Sequence, residues 1–448
     1  MKDRTTRSTR VIRIDTDSQY QKIRHFGASA AWWAQEVGTW PAETQDRILR
    51  LLFSREEGIG LNLIRYNLGG GKAGSEITDP WRSAETPLKE DGTFDWSRDR
   101  AALNIIDRAS DLGAEVVLFA NTPPSVMTRN GKSYGSGGEC NLKEGSEDDF
   151  AAYLIDAALD LRKTRGWNIR EISPINEPQW KWALKNGQEG CHWIPEEAFR
   201  MVRSLQRQIR DRALDFSVSA VDSADMKMRH NRKFIKLLLE DRSLKDALDH
   251  YAVHSYWSGL RHRKRLRQYF DRYFPEKEIW MTEWTEMKKG RDTGMDSALN
   301  LARTVHEDLT VTGASSWQYW IALSCYDFRD GLIYVDPVKK SFEETRRLRA
   351  LGNWSRFIRP GARRVETTGG AGRHLLVSAF LNPDGSLCTV LVNRGRRSEA
   401  ISLELTGKGY SRMTVHETSE SRALEEVSAG SPGEITLPAE SVTTVVFN

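Results

Sequence analysis

The chain has 448 residues, of which 39% are hydrophobic and 29% are charged, a composition typical of a globular protein with an ample core. It is too long for one ordinary domain and suits a barrel of about 250–330 residues with a smaller second domain. The formal net charge of +4 is too small to indicate a nucleic-acid partner, and no apolar run reaches the length of a membrane span. These features leave the oligomeric state open.

Cysteine usage and the N-terminal segment bear on cofactors and on localisation. The four cysteines have no CxxC spacing, so we expect neither a zinc cluster nor a dense disulfide scaffold, and no metal and no cofactor are predicted. Whether Cys140 and Cys191 approach each other stays open. The first 15 residues are basic and polar and lack the apolar centre of a signal peptide. We therefore expect the chain as given to be cytoplasmic, or secreted if a signal has been removed.

Eight short apolar runs alternate with amphipathic segments along the first three quarters of the chain. The runs are residues 25–30, 63–69, 115–122, 171–177, 216–222, 251–257, 279–284 and 315–320. Segments with helical periodicity lie between them, at residues 100–112, 150–165, 195–213 and 296–312. This repeated strand–helix alternation predicts an α/β fold, a closed parallel (β/α)8 TIM barrel over residues 23–344.

A doubly wound open sheet is the alternative fold, and it usually has a glycine-rich nucleotide-binding turn after its first strand. The segment Gly69-Gly70-Gly71-Lys72 is the candidate for a phosphate loop. Such a loop needs Ser or Thr after the Lys, and Ala73 stands there. We therefore expect a flexible loop at the rim of the barrel.

The pattern changes near residue 345 to short alternating strands, at residues 375–381, 387–393, 400–405, 413–417 and 442–447. Asn382-Pro383-Asp384-Gly385 joins the first two as a hairpin turn, because Pro presets φ and Gly accepts a positive φ. These strands predict a β-sandwich side domain. Residues 10–15 alternate in the same way, so the side domain is expected to comprise residues 1–22 plus 345–448.

Active sites of parallel barrels lie at the C-terminal ends of the strands. The predicted strand ends carry Ser29, Arg65 with Asn67, Asn121, Asn176 with Glu177, Asp222, His254 with Tyr256, Glu283 and Trp320. Glu177 ends the fourth strand and Glu283 the seventh, which lie across the barrel from each other. Glycoside hydrolysis needs such a carboxyl pair, one to protonate the leaving oxygen and one to attack the anomeric carbon or activate water.

The motifs around these two residues resemble those of a known family. Asn176-Glu177-Pro178 and Thr282-Glu283-Trp284 resemble the clan of barrel glycosidases whose acid/base and nucleophile end the fourth and seventh strands. The resemblance narrows to glycoside hydrolase family 30 and implies a retaining β-glycoside hydrolase with a side β-sandwich. The supporting motifs are Phe26-Gly27-Ala28-Ser29, residues 64–69, Pro123-Pro124 with Met127, Asn141-Leu142-Lys143, and Gly352-Asn353-Trp354 with residues 357–361.

Two stretches resemble the branch of the family that contains endo-β-1,6-galactanases: Pro178-Gln179-Trp180 with Trp182, and residues 188–193. The implied substrate is the β-1,6-galactan of arabinogalactan side chains. Ser125-Val126 stand where an aromatic pair is expected, so endo or exo action stays open. The alternatives within the family are β-1,6-glucanase, glucosylceramidase-like β-glucosidase and xylanase.

Roles for the site residues follow as hypotheses. Glu177 must stay protonated near neutral pH, so burial and the charge of Glu283 should raise its pKa, whereas Glu283 must stay ionised. We expect Arg65 and Tyr256 to contact Glu283. The other substrate-binding candidates are Asn176 for the sugar 2-hydroxyl, Trp320 for stacking beneath the ring, His254 for another hydroxyl, Asn121, and Trp180 and Trp33 for outer subsites.

Two functions of other classes are the alternatives to a glycoside hydrolase. His250 and His254 have the spacing of the HExxH metal motif, but they lie on a predicted strand and Tyr251 stands where the motif has Glu, which disfavours a metal hydrolase. A non-catalytic sugar-binding protein is disfavoured because both carboxylates are intact. The basic run at residues 261–267 is expected to be the solvated face of a surface helix.

Overall fold

The computed structural model describes residues 9–71, 76–369, 372, 374–406, 409–430 and 433–448. Strand β1 (Arg10–Lys22) comes first, and the barrel follows it. The barrel strands are β2 His25–Ser29, β3 Leu63–Asn67, β4 Glu115–Phe119, β5 Ile169–Ser173, β6 Ser217–Val218, β7 His250–His254, β8 Glu278–Glu283 and β9 Ala314–Tyr319. Each overlaps one of the eight predicted runs.

These eight strands form one parallel sheet in the order β6-β5-β4-β3-β2-β9-β8-β7. Its two end strands meet through main-chain hydrogen bonds: the amide of Ala252 donates to the carbonyl of Ala220 over 2.9 Å, and that of His254 donates to Ser223 over 2.6 Å. The sheet therefore closes on itself, and the predicted (β/α)8 barrel with a side β-sandwich is confirmed. The open doubly wound sheet is excluded.

Helices cover the outside of the barrel. They are α1 Trp33–Val37, α2 Ala42–Phe53, α3 Arg100–Asp111, α4 Glu147–Arg165, α5 Pro195–Asp211, α6 Met228–Leu239, α7 Arg242–Lys245, α8 Leu260–Tyr273 and α9 Met295–Glu307, the last continuing as a π-helical turn at Asp308–Thr312. In α5 the buried apolar residues recur every three or four positions, which is the spacing of one helix face. None of the helices in the described ranges combines the length and apolarity needed to cross a bilayer.

The side domain is a nine-stranded sheet that folds into a β-sandwich. After a small sheet of β10 Leu323–Ser324, β11 Ile333–Asp336 and β12 Ser341–Glu344, and helix α10 (Arg346–Ser355), its own strands follow. They are β13 Arg363–Thr368, β14 Leu375–Leu381, β15 Leu387–Asn393, β16 Glu399–Thr406, β17 Met413–Thr418, β18 Ala423–Gly430, β19 Glu434–Leu437 and β20 Ser441–Phe447. Strand β1 lies between β13 and β16 in this sheet.

The boundary between the two domains is marked by helix α10, which packs against α9 of the barrel and against β17, β18 and β20 of the sandwich. The side-domain core is separate and includes Ile12 and Ile14 of β1. We propose that the boundaries lie near residues 23 and 345. Residues 1–8 of the predicted side domain lie outside the described residues.

Two loop predictions can be compared with the structure. Gly69, Gly70 and Gly71 are buried, and a Cβ on Gly69 would come within 2.5 Å of the Glu85 carbonyl, so this part of the loop is closely packed and the expected flexible rim loop is wrong there. Lys72 and Ala73 lie outside the described residues. The thiols of Cys140 and Cys191 are both buried and free, with their Sγ atoms 3.9 Å apart.

Candidate active site

Four non-glycine residues at the C-terminal mouth of the barrel have a left-handed backbone. Glu177, Asp222, Trp257 and Ile321 follow β5, β6, β7 and β9 with φ of 47°, 48°, 50° and 29°. This conformation costs an L-residue about 1–2 kcal/mol, and residues held in it cluster at functional sites. The positive φ values thus follow four of the eight barrel strands, at the end where active sites of such barrels lie.

Glu283 ends β8 and is held by two neighbouring side chains. Nη1 of Arg65 lies 2.9 Å from its Oε2, and the hydroxyl of Tyr256 donates to its Oε1 over 3.1 Å. Glu283 is 5% exposed. Both contacts expected from the sequence are therefore present, and both favour the ionised carboxylate.

Arg65 is itself buried and bridges two carboxylates. Its Nη2 lies 3.3 Å from Asp222, and its guanidinium lies over the ring of Phe119 at 4.2 Å. Asp222 also accepts hydrogen bonds from the hydroxyls of Thr282, over 2.7 Å, and Ser173. These contacts fix the position of the guanidinium, so its positive charge stays next to Glu283.

Glu177 lies four residues beyond β5 and contacts His254. Oε1 of Glu177 is 3.0 Å from Nδ1 of His254, which is also 3.6 Å from Oε1 of Glu283. Burial, and after it the charge of Arg65, holds the pKa of His254 well below its usual value, so the ring is neutral. The ring of His254 is fully buried and its Nδ1 lies between the two carboxyls, while its Nε2 has no hydrogen-bond partner among the described residues, so the expected contact with a sugar hydroxyl stays a prediction.

The two carboxyl groups differ in their electrostatic surroundings. Burial raises the pKa of Glu177 well above its usual value, and the charge of Glu283 raises it further. Burial also raises the pKa of Glu283, but the charge and hydrogen bond of Arg65 oppose this shift. Glu177 therefore keeps its proton to higher pH than Glu283, which is the division that acid catalysis beside a nucleophile requires.

Among the described residues, Glu177, His254 and Glu283 are close enough to one another to hold a metal ion. Glu177, His254 and Glu283 each offer one ligand-type atom, and these atoms lie within 4.8 Å of one another. His250 is directed elsewhere, since its Nε2 lies 3.0 Å from Glu171 and its ring stacks on Trp280 at 3.8 Å. The two histidines therefore do not form the pair that the HExxH comparison required.

Polar residues at the ends of β3 and β4 form a chain that includes a residue missed by the sequence analysis. Nδ2 of Asn121 donates to Asn67 over 3.3 Å, and Nδ2 of Asn67 donates to Glu189 over 3.4 Å. Burial raises the pKa of Glu189 to about 8, and the amide of Ala84 donates to it over 3.2 Å. Gly71 comes close to this carboxyl, which explains why the loop is packed rather than loose.

Asn176 precedes Glu177 and has an unsatisfied acceptor. The residue is 6% exposed, and its Oδ1 has no hydrogen-bond partner among the described residues. A buried polar atom without a partner costs about 1–3 kcal/mol. A ligand hydroxyl would remove that cost, which agrees with the sugar contact expected of Asn176.

Of the three tryptophans expected to bind sugar, Trp33 is not accessible at the mouth of the barrel. Trp320 is half-buried and meets Trp32 edge to face, with the ring centroids 5.3 Å apart. Trp33 is fully buried, and its indole N–H donates to the carbonyl of Ser29 over 2.8 Å, so it offers no face to a sugar. The outer-subsite role expected of Trp33 is therefore wrong. Trp180 is 38% exposed beside Glu177 and remains available.

Replacing Arg65 by Met is expected to move the acid limb of the kcat/KM profile to higher pH. The charge of Arg65 lowers the pKa of Glu283, so without it Glu283 ionises only at higher pH. The variant should also lose about 3–5 kcal/mol of unfolding free energy, because two buried carboxylates lose their cation. Urea unfolding and pH profiles measure both effects. Arg65→Lys, which keeps the charge, should shift the limb less, and an unshifted limb in Arg65→Met would contradict the assignment.

Arg24→Met is the matched control for this experiment. Arg24 pairs with Glu278 over 2.8 Å at the other end of β8, and its side chain is 42% exposed. Exposed pairs contribute about 0–1 kcal/mol, so this variant should keep the stability and the pH profile of the parent within that range.

Comparison with known proteins agrees with this geometry. The sequence profile described as O-Glycosyl hydrolase family 30 matches residues 9–233 and 246–334, and that of the Glycosyl hydrolase family 30 beta sandwich domain matches residues 361–445. The endo-beta-1,6-galactanase of Hypocrea rufa is 23% identical over 71% of this chain and 68% of its own length. The glucuronoxylanase XynC of Bacillus subtilis (strain 168) is 22% identical over 74% of each chain.

A solved structure shares the whole architecture. The crystal structure of a conserved exported protein from Bacteroides fragilis matches 97% of this chain and 100% of that chain, with a TM-score of 0.88 and 25% identity. Both domains are thus found together in a related fold, and the family profiles match both. The chain therefore belongs to O-glycosyl hydrolase family 30 and is a glycoside hydrolase.

Proposed function

We propose that this protein is a retaining enzyme that cleaves β-1,6-galactan, the side chains of arabinogalactan, by double displacement. The observation that carries the mechanism is the closeness of the two carboxyl groups, since one oxygen of Glu177 lies within 4.8 Å of one oxygen of Glu283. Retaining glycosidases have carboxyl separations of about 5–5.5 Å, whereas inverting ones leave about 6.5–9.5 Å for a water molecule. The short distance between these two oxygens supports the closer arrangement that retention requires.

Glu177 and Glu283 have different roles in the two steps of the reaction. Glu283 attacks the anomeric carbon while Glu177 gives its proton to the leaving oxygen, so the glycosidic bond breaks and a glycosyl ester of Glu283 forms. Water then attacks the same carbon, Glu177 takes the proton of that water, and the ester bond breaks. Two inversions leave the anomeric configuration unchanged. Arg65 and Tyr256 stabilise Glu283 as the leaving carboxylate in the second step.

Two observations support β-1,6-galactan as the substrate. They are the similarity to a curated endo-beta-1,6-galactanase and the stretches at residues 178–182 and 188–193. A xylan-active enzyme is the second candidate, because the similarity to a glucuronoxylanase covers a comparable share of the chain. β-1,6-Glucanase and glucosylceramidase-like β-glucosidase remain alternatives within the family.

A hydrolysis screen with product analysis tests the proposal. Purified protein is incubated with β-1,6-galactan, β-1,6-glucan, glucuronoxylan and aryl β-glycosides, and reducing ends and product sizes are measured. We expect the highest kcat/KM on β-1,6-galactan and β-configured products when the anomer is followed by proton NMR during the first turnovers. Products of α configuration would overturn retention, and a higher kcat/KM on another glycan would overturn the galactan assignment alone.

A further inference from the structure

Two exposed tryptophans lie at the mouth of the barrel beside the reactive carboxyls. Trp180 is 38% and Trp257 is 55% exposed, and their rings meet edge to face with the centroids 5.6 Å apart. The amide of Trp180 donates to the carbonyl of Glu177 over 3.2 Å, and Trp257 directly follows Tyr256. Indole faces stack on the apolar faces of sugars, so this pair can hold a sugar unit next to the site.

The pair lies on the leaving-group side of the site. Glu177 gives its proton to the leaving oxygen under the proposed mechanism, and Trp180 is three residues beyond it on the same loop. The other wall comes from the loop after β7, which is tied to the loop after β6 because the amide of Met226 donates to Oγ of Ser258 over 3.0 Å. A sugar on this platform would therefore belong to the leaving part of the chain.

The backbone of Trp257 indicates that its exposure is built into the fold. Its φ of 50° is left-handed, a conformation that a bulky residue rarely adopts without a local constraint. Oγ of Ser258 donates to the carbonyl of Tyr256 over 3.1 Å, which holds the turn on both sides of Trp257. The ring is thus presented to solvent by a fixed turn rather than by a loose loop.

The buried carboxylate of Asp225 holds basic side chains next to Trp180 and Trp257, the pair called the platform here. Asp225 is 1% exposed, and it accepts from the backbone amide of Lys227 over 2.9 Å and from its ammonium over 2.8 Å. That ammonium lies 6.0 Å from the ring centroid of Trp257. Nδ1 of His230 also lies 3.0 Å from Asp225, and Nε of Arg229 donates to Nε2 of His230 over 3.1 Å. Asp225 therefore fixes the ammonium of Lys227 and, through His230, the guanidinium of Arg229.

Lys227 is paired with Asp225, but two arginines near it have no carboxylate partner among the described residues. Arg229 and Arg261 are both exposed, and neither forms an ion pair with a carboxylate in the part of the chain that the structure describes. Arg261 lies in the first turn of α8, four residues after Trp257. The basic run at residues 261–267 thus begins directly after the loop that carries Trp257, and Arg263 within it turns inward to Asp308 at 2.7 Å. Unpaired guanidinium groups at this edge favour an anionic sugar over a neutral one.

We propose that Trp180 and Trp257, edged by Lys227, Arg229 and Arg261, form a leaving-group-side subsite that binds a uronic acid unit of the polysaccharide. The indoles contact the apolar face of the sugar ring, and the cations pair with its carboxylate. The inference rests on the proposed function in one respect, the role of Glu177 as the acid that defines the leaving side. It does not depend on which neutral sugar forms the backbone.

Matched substrates test the carboxylate directly. Uronate-bearing β-1,6-galactan and glucuronoxylan are each compared with the same polymer after chemical reduction of its carboxyl groups to alcohols. On whichever backbone is cleaved, kcat/KM should be about fivefold higher for the acidic form at about 20 mM NaCl, and the difference should vanish at about 500 mM NaCl. Equal kcat/KM for the acidic and the reduced forms at low salt would overturn the subsite.

Substitutions of the arginines and of Trp257 test the contribution of the positive charge and that of the indole rings separately. Arg229→Ala combined with Arg261→Ala should remove the preference for the acidic form, whereas Trp257→Ala should raise KM for acidic and reduced forms alike. The control combines Arg170→Ala with Arg272→Ala, which removes two exposed arginines from the opposite end of the barrel and should keep the preference. A preference that persists in the Arg229/Arg261 variant would overturn the inference.

A binding experiment tests the uronic acid subsite independently of the proposed hydrolytic function. If neither backbone is cleaved, the proposed function fails, and the subsite is then judged by calorimetric binding of the same acidic and reduced oligosaccharides to Glu283→Gln protein. Tighter binding of the acidic forms that weakens with salt supports the subsite. Equal binding of both forms, or binding of neither, rejects it.

Discussion

Glu283→Gln is expected to lower kcat/KM on aryl β-glycosides by at least about 10⁴-fold, the largest effect of any single substitution in this protein. A carboxamide has nearly the shape of the carboxylate but cannot attack the anomeric carbon, so no glycosyl ester forms. Good leaving groups do not help, because the missing group is the nucleophile rather than the acid. The measurement is initial-rate kinetics with 2,4-dinitrophenyl and nitrophenyl glycosides.

The control for this variant is Glu278→Gln on the same strand. Glu278 lies at the opposite end of β8 and pairs with Arg24 outside the mouth. Its loss removes a partly exposed ion pair, so kcat/KM should stay within about twofold of the parent. Residual activity of Glu283→Gln above a tenth of the parent, in protein with an unchanged far-UV spectrum, would refute the assignment of the nucleophile.

Glu177→Ala is expected to show the second largest effect, and only with substrates that need an acid. Substrates with poor leaving groups should lose about 10³-fold in kcat, because general acid catalysis supplies about 10²–10⁴-fold. Glycosides of 2,4-dinitrophenol should still form the glycosyl ester at a substantial rate, because their leaving group departs without a proton. Comparing kcat across a series of leaving groups measures this difference.

Azide gives the Glu177→Ala variant a second, stereochemical readout. The truncated side chain leaves space and removes a negative charge, so azide can attack the glycosyl ester from the side that the leaving group vacated. The expected result is partial recovery of the rate and a β-glycosyl azide product, identified by NMR. An α-glycosyl azide would mean that Glu177, not Glu283, is the nucleophile, and the two roles would be exchanged.

The eight strands and the main sandwich strands are visible in the sequence because their patterns are local. Apolar runs of six to eight residues bounded by polar clusters are consistent with buried parallel strands, and their alternation with helical segments strengthens this interpretation. Strands β14 and β15 are predicted to the residue, since a Pro-Asp-Gly turn fixes the register between them. Strands β13, β18 and β19 were missed, because β13 and β18 each bury a single residue and β19 is only four residues long.

The prediction for Trp33 was wrong at the end of a strand, where the local sequence pattern stops being informative, and the position of His254 was not foreseen. Trp33 and Trp32 are neighbours in sequence, and the turn after β2 decides that Trp32 meets Trp320 while Trp33 enters the core. His254 ends β7 as expected, and its Nδ1 lies 3.0 Å from Glu177 and 3.6 Å from Glu283, a position that the strand pattern did not specify. Both outcomes depend on how the chain leaves the strand, which the sequence pattern does not encode.

The pairing of Glu177 with Glu283 shows both what the sequence by itself determined and what it could not. Motif and strand order placed the two glutamates at the mouth of a barrel, together with Arg65 and Tyr256. Only the tertiary structure decided the separation of the carboxyls, the buried setting that pulls their pKa values apart, and the Glu189 chain at the ends of β3 and β4. The physical reason is that strand patterns arise from neighbours along the chain, whereas distance, burial and charge at the mouth come from residues brought together when the barrel closes.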